Sequence, residues 1–121
     1  MLTVAVAVAA GLGAVARYLL DRAVQRRTTT RFPVGTLVVN VTGSFLLGLA
    51  VGLTSHHGLS TSVGTVVGAG FAGGYTTLST WAWESLALAE TEAGTQAFTN
   101  VVGSLALGLL AGAAGLGLAL L

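Results

Sequence analysis

The stretch Gly70-Phe71-Ala72-Gly73-Gly74-Tyr75-Thr76-Thr77-Leu78-Ser79-Thr80-Trp81-Ala82-Trp83-Glu84 constrains the fold more than any other part of the chain. It lies deep in apolar sequence, yet it holds a glycine pair, a run of hydroxyl residues and a terminal carboxylate. A lipid-facing helix needs none of these. Each glycine weakens a helix by about 1 kcal/mol, and the hydroxyls that follow can bond backbone groups freed nearby. The stretch predicts a transmembrane helix broken at mid-depth, near Gly73-Thr76, with other helices packed around the break. Backbone that leaves the helix at that depth survives only where protein or a water-filled cavity covers it.

The rest of the chain supplies those helices. Of 121 residues, 54% are hydrophobic and 7% charged, with 18 glycines and a mean hydropathy of +0.87. That balance excludes a soluble domain and a disordered chain. A span needs about 20 apolar residues to cross roughly 30 Å of hydrocarbon, so the length admits four spans with short connections. They are expected at about 2–20, 34–53, 62–89 (interrupted at Gly73-Gly74) and 96–121. Residues 1–121 then form a single four-helix transmembrane domain, an all-α membrane protein. Met1 to Ala16 is apolar but has no basic segment before it, and three further spans follow, so it reads as a retained helix rather than a cleaved signal. One copy encloses little cavity, which predicts an oligomer. The absence of cysteine excludes disulfides and thiolate metal sites.

Polar residues inside the spans are the candidates for function. Arg17 falls in the expected last turn of span one, where it either snorkels to lipid headgroups or stands at a vestibule that attracts an anion. Thr36, Asn40 and Ser44, spaced at four, share one face of span two. Asn40 is the costly member, because an amide in hydrocarbon must find partners; it either ties helices together or donates N–H groups to a polar substrate. Gly48 and Gly52 form a small-residue packing pair. His56 and His57 read as exposed loop residues without a third metal ligand. At a break in span three, freed carbonyls suit a cation and half-helix N-termini suit an anion. Thr76, Thr80 and Glu84 are expected on one face, with Ser79 beside them and back-bonding within the helix as the alternative for the hydroxyls. Asn100 and Ser104 again sit four apart in span four. No nucleophile–base pair, metal-ligand cluster or phosphate loop is present, so catalysis is not expected. Nothing in the sequence suggests nucleic-acid binding either.

Charge placement predicts orientation. All five arginines, from Arg17 to Arg31, lie in or beside the first connection, and there is no lysine. With four spans, the arginine-rich loop is expected in the cytoplasm and both termini outside the cell membrane.

Four segments together resemble the Fluc/CrcB family of fluoride channels over nearly the whole length. They are Gly11-Leu12-Gly13-Ala14-Val15-Ala16-Arg17-Tyr18; Pro33-Val34-Gly35-Thr36-Leu37-Val38-Val39-Asn40 with Gly43-Ser44-Phe45; the opening stretch through Glu84; and Asn100-Val101-Val102-Gly103-Ser104. The resemblance implies a four-helix subunit working as an antiparallel dimer in the membrane, with fluoride as the transported ion and two pathways. It implies a structural sodium ion at the dimer centre, held by the backbone carbonyls of Gly73 and Thr76. Asn40, Ser79, Thr80 and Ser104 then belong to the anion pathway, and Arg17 to its vestibule.

Two departures qualify what the resemblance implies. Where the family pattern has Phe-Ser-Thr-Phe, this chain has Leu78-Ser79-Thr80-Trp81. The family's ring edges face the anion; Leu78 has no ring, while Trp81 offers an edge or an indole N–H. A pathway is therefore expected to be altered. The one-sided arginine placement suits a fixed orientation, which predicts a heterodimer with an oppositely oriented paralogue. Two other readings are a non-conducting structural partner subunit and a small four-helix multidrug exporter. Against the exporter, span one has no carboxylate before Asp21.

Overall fold

A computed structural model describes residues 1–121. Helix α1 (Leu2–Gln25) is followed by α2 (Val34–His56), which starts directly after Pro33. Proline costs nothing at that position, because the first helical amides have no partner within the helix. The third span begins as α3 (Thr61–Thr65), capped by the Ser60 hydroxyl, and widens into a π-helical segment (Val66–Ala72). It tightens again in α4 (Gly73–Tyr75) and stops; α5 (Leu78–Glu90) resumes the crossing, and α6 (Gly94–Ala119) makes the fourth. Three helices, α1, α2 and α6, are each long and apolar enough to cross a membrane alone. With 20 of 121 residues buried, the apolar surface faces mainly outward, as a membrane bundle requires.

The helices overrun the apolar spans expected from sequence. α1 continues to Gln25, so Arg17 lies about two turns inside it rather than in its last turn. Arginine and glutamine are good helix formers, and they carry the helix past the apolar run. α2 likewise ends at His56, and the His57 Nε2–H donates to the Ala119 carbonyl at 2.6 Å, closing the end of α6.

Glycine sets which helices touch and in which direction they run. A Cβ at Gly13 would overlap the Phe71 carbonyl, one at Gly74 the Ala10 carbonyl, and one at Gly70 would meet Val6 and Ala9. Residue numbers rise together along this contact, so α1 and the first half of span three are parallel. The same holds for α2 and α6, where Ser44 lies near Gly108, Gly48 against the Gly112 carbonyl and Gly52 against Ala119. Span three runs antiparallel to α2, pairing Leu47 with Gly68, Gly43 with Thr76 and Thr36 with Glu84. Two parallel pairs, each antiparallel to the other, are what four successive crossings with short connections produce.

At Gly13, Gly74 and Gly48 the facing groups are backbone, so they cannot move aside. Gly74→Ala is expected to cost about 1–3 kcal/mol, the range for overpacking. Gly117 faces open space, so Gly117→Ala should be neutral or gain up to about 1 kcal/mol from helix propensity. Unfolding in detergent, followed by tryptophan fluorescence, measures both.

Candidate functional site at the helix break

The third span breaks at two residues. Thr76 (φ −78, ψ 160) and Thr77 (φ −146, ψ 120) are extended, whereas Gly73 is helical (φ −62, ψ −41). The break thus falls at the C-terminal edge of the expected Gly73-Thr76 region. The glycine pair itself does not open the helix; at Gly74 the missing side chain admits the α1 backbone.

A side chain from α2 takes over where the helix lets go. The Thr77 N–H donates to Asn40 Oδ1 at 2.8 Å, and Asn40 Nδ2 donates to the Thr77 carbonyl at 3.0 Å. A carboxamide carries the same donor and acceptor as a peptide group, so Asn40 pairs with the backbone of one residue through both. One Nδ2 hydrogen is left over. The Thr77 hydroxyl accepts from the Thr80 N–H at 3.2 Å, capping α5, and donates to Thr80 Oγ1 at 3.0 Å. On the other side of the break, the Thr76 N–H and hydroxyl both donate to the Ala72 carbonyl, at 2.9 and 3.0 Å. The Thr76 carbonyl receives no hydrogen bond.

Two hollows meet at this point. An open groove of about 600 Å³ is lined by Asn40, Ser44, Gly73, Thr76, Leu78, Trp81 and Ser104, among others. A smaller cavity of about 200 Å³ is lined by Arg17, Tyr18, Asp21, Thr36, Val39, Thr77 and Thr80. Thr77 lines both, so the residue clasped by Asn40 stands between them. The candidates named from sequence therefore divide: Asn40, Leu78, Trp81, Ser104, Gly73 and Thr76 face the groove, and Arg17 and Thr80 the smaller cavity. Ser79 is exposed and lines neither, with its hydroxyl 3.5 Å from Thr77 Oγ1. Leu78 is 74% exposed at the groove. The expectation that Thr76, Thr80 and Glu84 share a face fails for Thr76, because two extended residues reset the helical phase.

The surrounding polar groups are tied to one another. Thr36 Oγ1 donates to Glu84 Oε1 at 3.0 Å, while Glu84 Oε2 is buried without a partner. Trp81 Nε1 donates to the Asn100 carbonyl at 3.2 Å, so the indole N–H is engaged within the protomer. Ser104 Oγ donates to Asn100 Oδ1 at 3.1 Å, and Asn100 Nδ2 to Ser85 Oγ at 2.8 Å. Tyr75 OH and Thr42 Oγ1 lie 2.8 Å apart and join α4 to α2. Sequence reasoning missed Thr77, Ser85 and the Tyr75–Thr42 pair. The available signal for Thr77 was Asn40 itself, a mid-span amide that had to find a backbone group out of helix.

Comparison with known proteins agrees with this architecture. The family model described as CrcB-like protein, Camphor Resistance (CrcB), matches residues 4–116. The chain is 48% identical over 118 residues to Fluoride-specific ion channel FluC 1 of Leifsonia xyli subsp. xyli, covering 98% of this chain and 85% of that one. It is 46% identical over 101 residues to Fluoride-specific ion channel FluC 2 of Mycobacterium tuberculosis, covering 84% and 77%. A relative from Phocaeicola vulgatus, Fluoride-specific ion channel FluC, is 40% identical over 100 residues, covering 83% of each. With the family model spanning nearly all of an all-helical, membrane-crossing chain, this protein belongs to the CrcB family.

Proposed function

We propose that the chain is a subunit of a fluoride-specific ion channel that passively exports fluoride across the cytoplasmic membrane and so relieves fluoride toxicity. The observation that carries this reading is the polar break in a membrane-crossing helix, opening on a groove, in a chain 48% identical to a protein named as a fluoride channel. Fluoride is held in water by several hydrogen bonds, and a path must replace them without holding the ion too tightly to release. The free Asn40 N–H and the Ser79 and Thr80 hydroxyls are suited to that task. Leu78, Trp81 and Ser104 complete the walls, and Arg17 draws the anion into the smaller cavity. An ion channel of this kind is not an enzyme.

The same reading includes a dimer of oppositely oriented subunits. The groove is open, and Gly73, Leu78 and Ser79 are exposed in one protomer, which is what a second subunit would cover. A sodium ion at the dimer centre fits the residues: the Thr76 carbonyl is free of hydrogen bonds and lies with Gly73 on the open groove. Backbone oxygens are hard donors suited to such a cation, whose positive charge would hold two breaks together. Because all five arginines lie in or beside the first connection, the partner is a paralogue of opposite bias, and that connection is cytoplasmic.

Liposomes containing the protein, alone or with the co-expressed partner, should release fluoride to an electrode, and chloride much more slowly. Flux in neither case would overturn the channel reading. A ring edge worth about 1 kcal/mol at the barrier corresponds to roughly fivefold in rate, so Leu78→Phe should raise fluoride flux by about that factor. A C-terminal reporter is expected on the outer face alone; equal amounts on both faces would overturn the fixed orientation.

A further inference from the structure

Trp81 and Ser104 both line the groove, and each has a single side-chain proton to offer. Both protons end on the same residue. The indole N–H goes to the Asn100 carbonyl at 3.2 Å, and the Ser104 hydroxyl to Asn100 Oδ1 at 3.1 Å. Asn100 is 1% exposed, and its amide nitrogen donates to Ser85 Oγ at 2.8 Å. Ser85 Oγ in turn donates to the Trp81 carbonyl at 2.8 Å, so the chain of bonds returns to the residue where it began. Every link joins α5 to α6 or lies within one of them.

We propose that Asn100 is a positioning residue that withdraws the Trp81 indole N–H and the Ser104 proton from the groove. The α5–α6 wall then gives the anion a fixed ring and no donor. The donor it meets comes from the opposite side, from the free N–H of Asn40 on α2. Such an asymmetric path replaces part of a hydration shell without surrounding the ion with donors, which favours release. The substitution of tryptophan for the family's phenylalanine is thereby accommodated: the added N–H is consumed by the protein, and the ring remains. This inference rests on the groove as the anion's route, but its test reads the hydrogen bond and needs no flux.

The test uses the Trp83→Phe protein in lipid nanodiscs with 15N-labelled tryptophan, so that Trp81 supplies the sole indole signal. That signal should lie at a hydrogen-bonded position, exchange slowly with deuterium and stay unchanged when sodium fluoride is added. Asn100→Ala keeps the main-chain carbonyl that accepts the indole N–H but removes the Asn100 Nδ2–Ser85 Oγ bond that ties α6 to α5. Exchange should accelerate about five- to tenfold, the size expected for that one lost hydrogen bond, and the signal should respond to fluoride. If Asn100→Ala does not fold, Ser85→Ala keeps Asn100 and should change exchange in the same direction by a smaller factor. A Trp81 signal that shifts saturably with fluoride in the parent, or exchange unchanged in these variants, would overturn the proposal. A slow, Asn100-dependent indole in a protein without fluoride flux would support the positioning role and count against the channel reading alone.

Discussion

The pairing of the Asn40 carboxamide with the Thr77 backbone, two bonds of 2.8 and 3.0 Å, is the interaction on which the rest depends. In a membrane the backbone of a broken helix has no water to turn to, and each unsatisfied group costs several kcal/mol. Asn40 removes that penalty for Thr77 with one side chain from a helix that already runs alongside. The extended pair Thr76–Thr77 can then persist at mid-depth, α5 can start from a proper threonine cap, and a groove and a cavity can meet at the same residue.

The glycines make this possible indirectly. Close backbone contact between α1 and α4, and between α2 and α6, fixes the two parallel pairs, and their antiparallel arrangement brings Asn40 level with Thr77. Without a Cβ at Gly74 or Gly13, the first half of span three can press against α1 and stop where Asn40 is waiting. Helix association in lipid relies on such small-residue contacts and on interhelical hydrogen bonds. Both kinds occur here within a few residues of each other.

Much of this was legible in the sequence. Four crossings, their order, the broken third span and the family followed from apolar runs, from a mid-span glycine and hydroxyl cluster, and from four motif segments. Asn40 stood out because an amide in hydrocarbon must be paired. Its partner did not, since which backbone group loses its helical bond is decided by the phase of two helices brought together in three dimensions. The glycine pair was misread in part for the same reason: glycine weakens a helix locally, but at Gly74 its smallness serves a neighbour, and the helix continues through it. Asn100 was visible as a polar residue four before Ser104, yet its convergence with Trp81 and Ser85 depends on an antiparallel contact that spacing within one helix does not reveal.

Amide exchange at Thr77 tests the central claim most directly. In the unchanged protein the Thr77 N–H, although outside any helix, should be protected as well as the helical amides around it. Asn40→Leu leaves that N–H and its carbonyl unpaired, and a penalty of about 1–3 kcal/mol should lower protection roughly tenfold or more. A Thr77 amide that exchanges freely in the unchanged protein, or one indifferent to Asn40→Leu, would contradict the account.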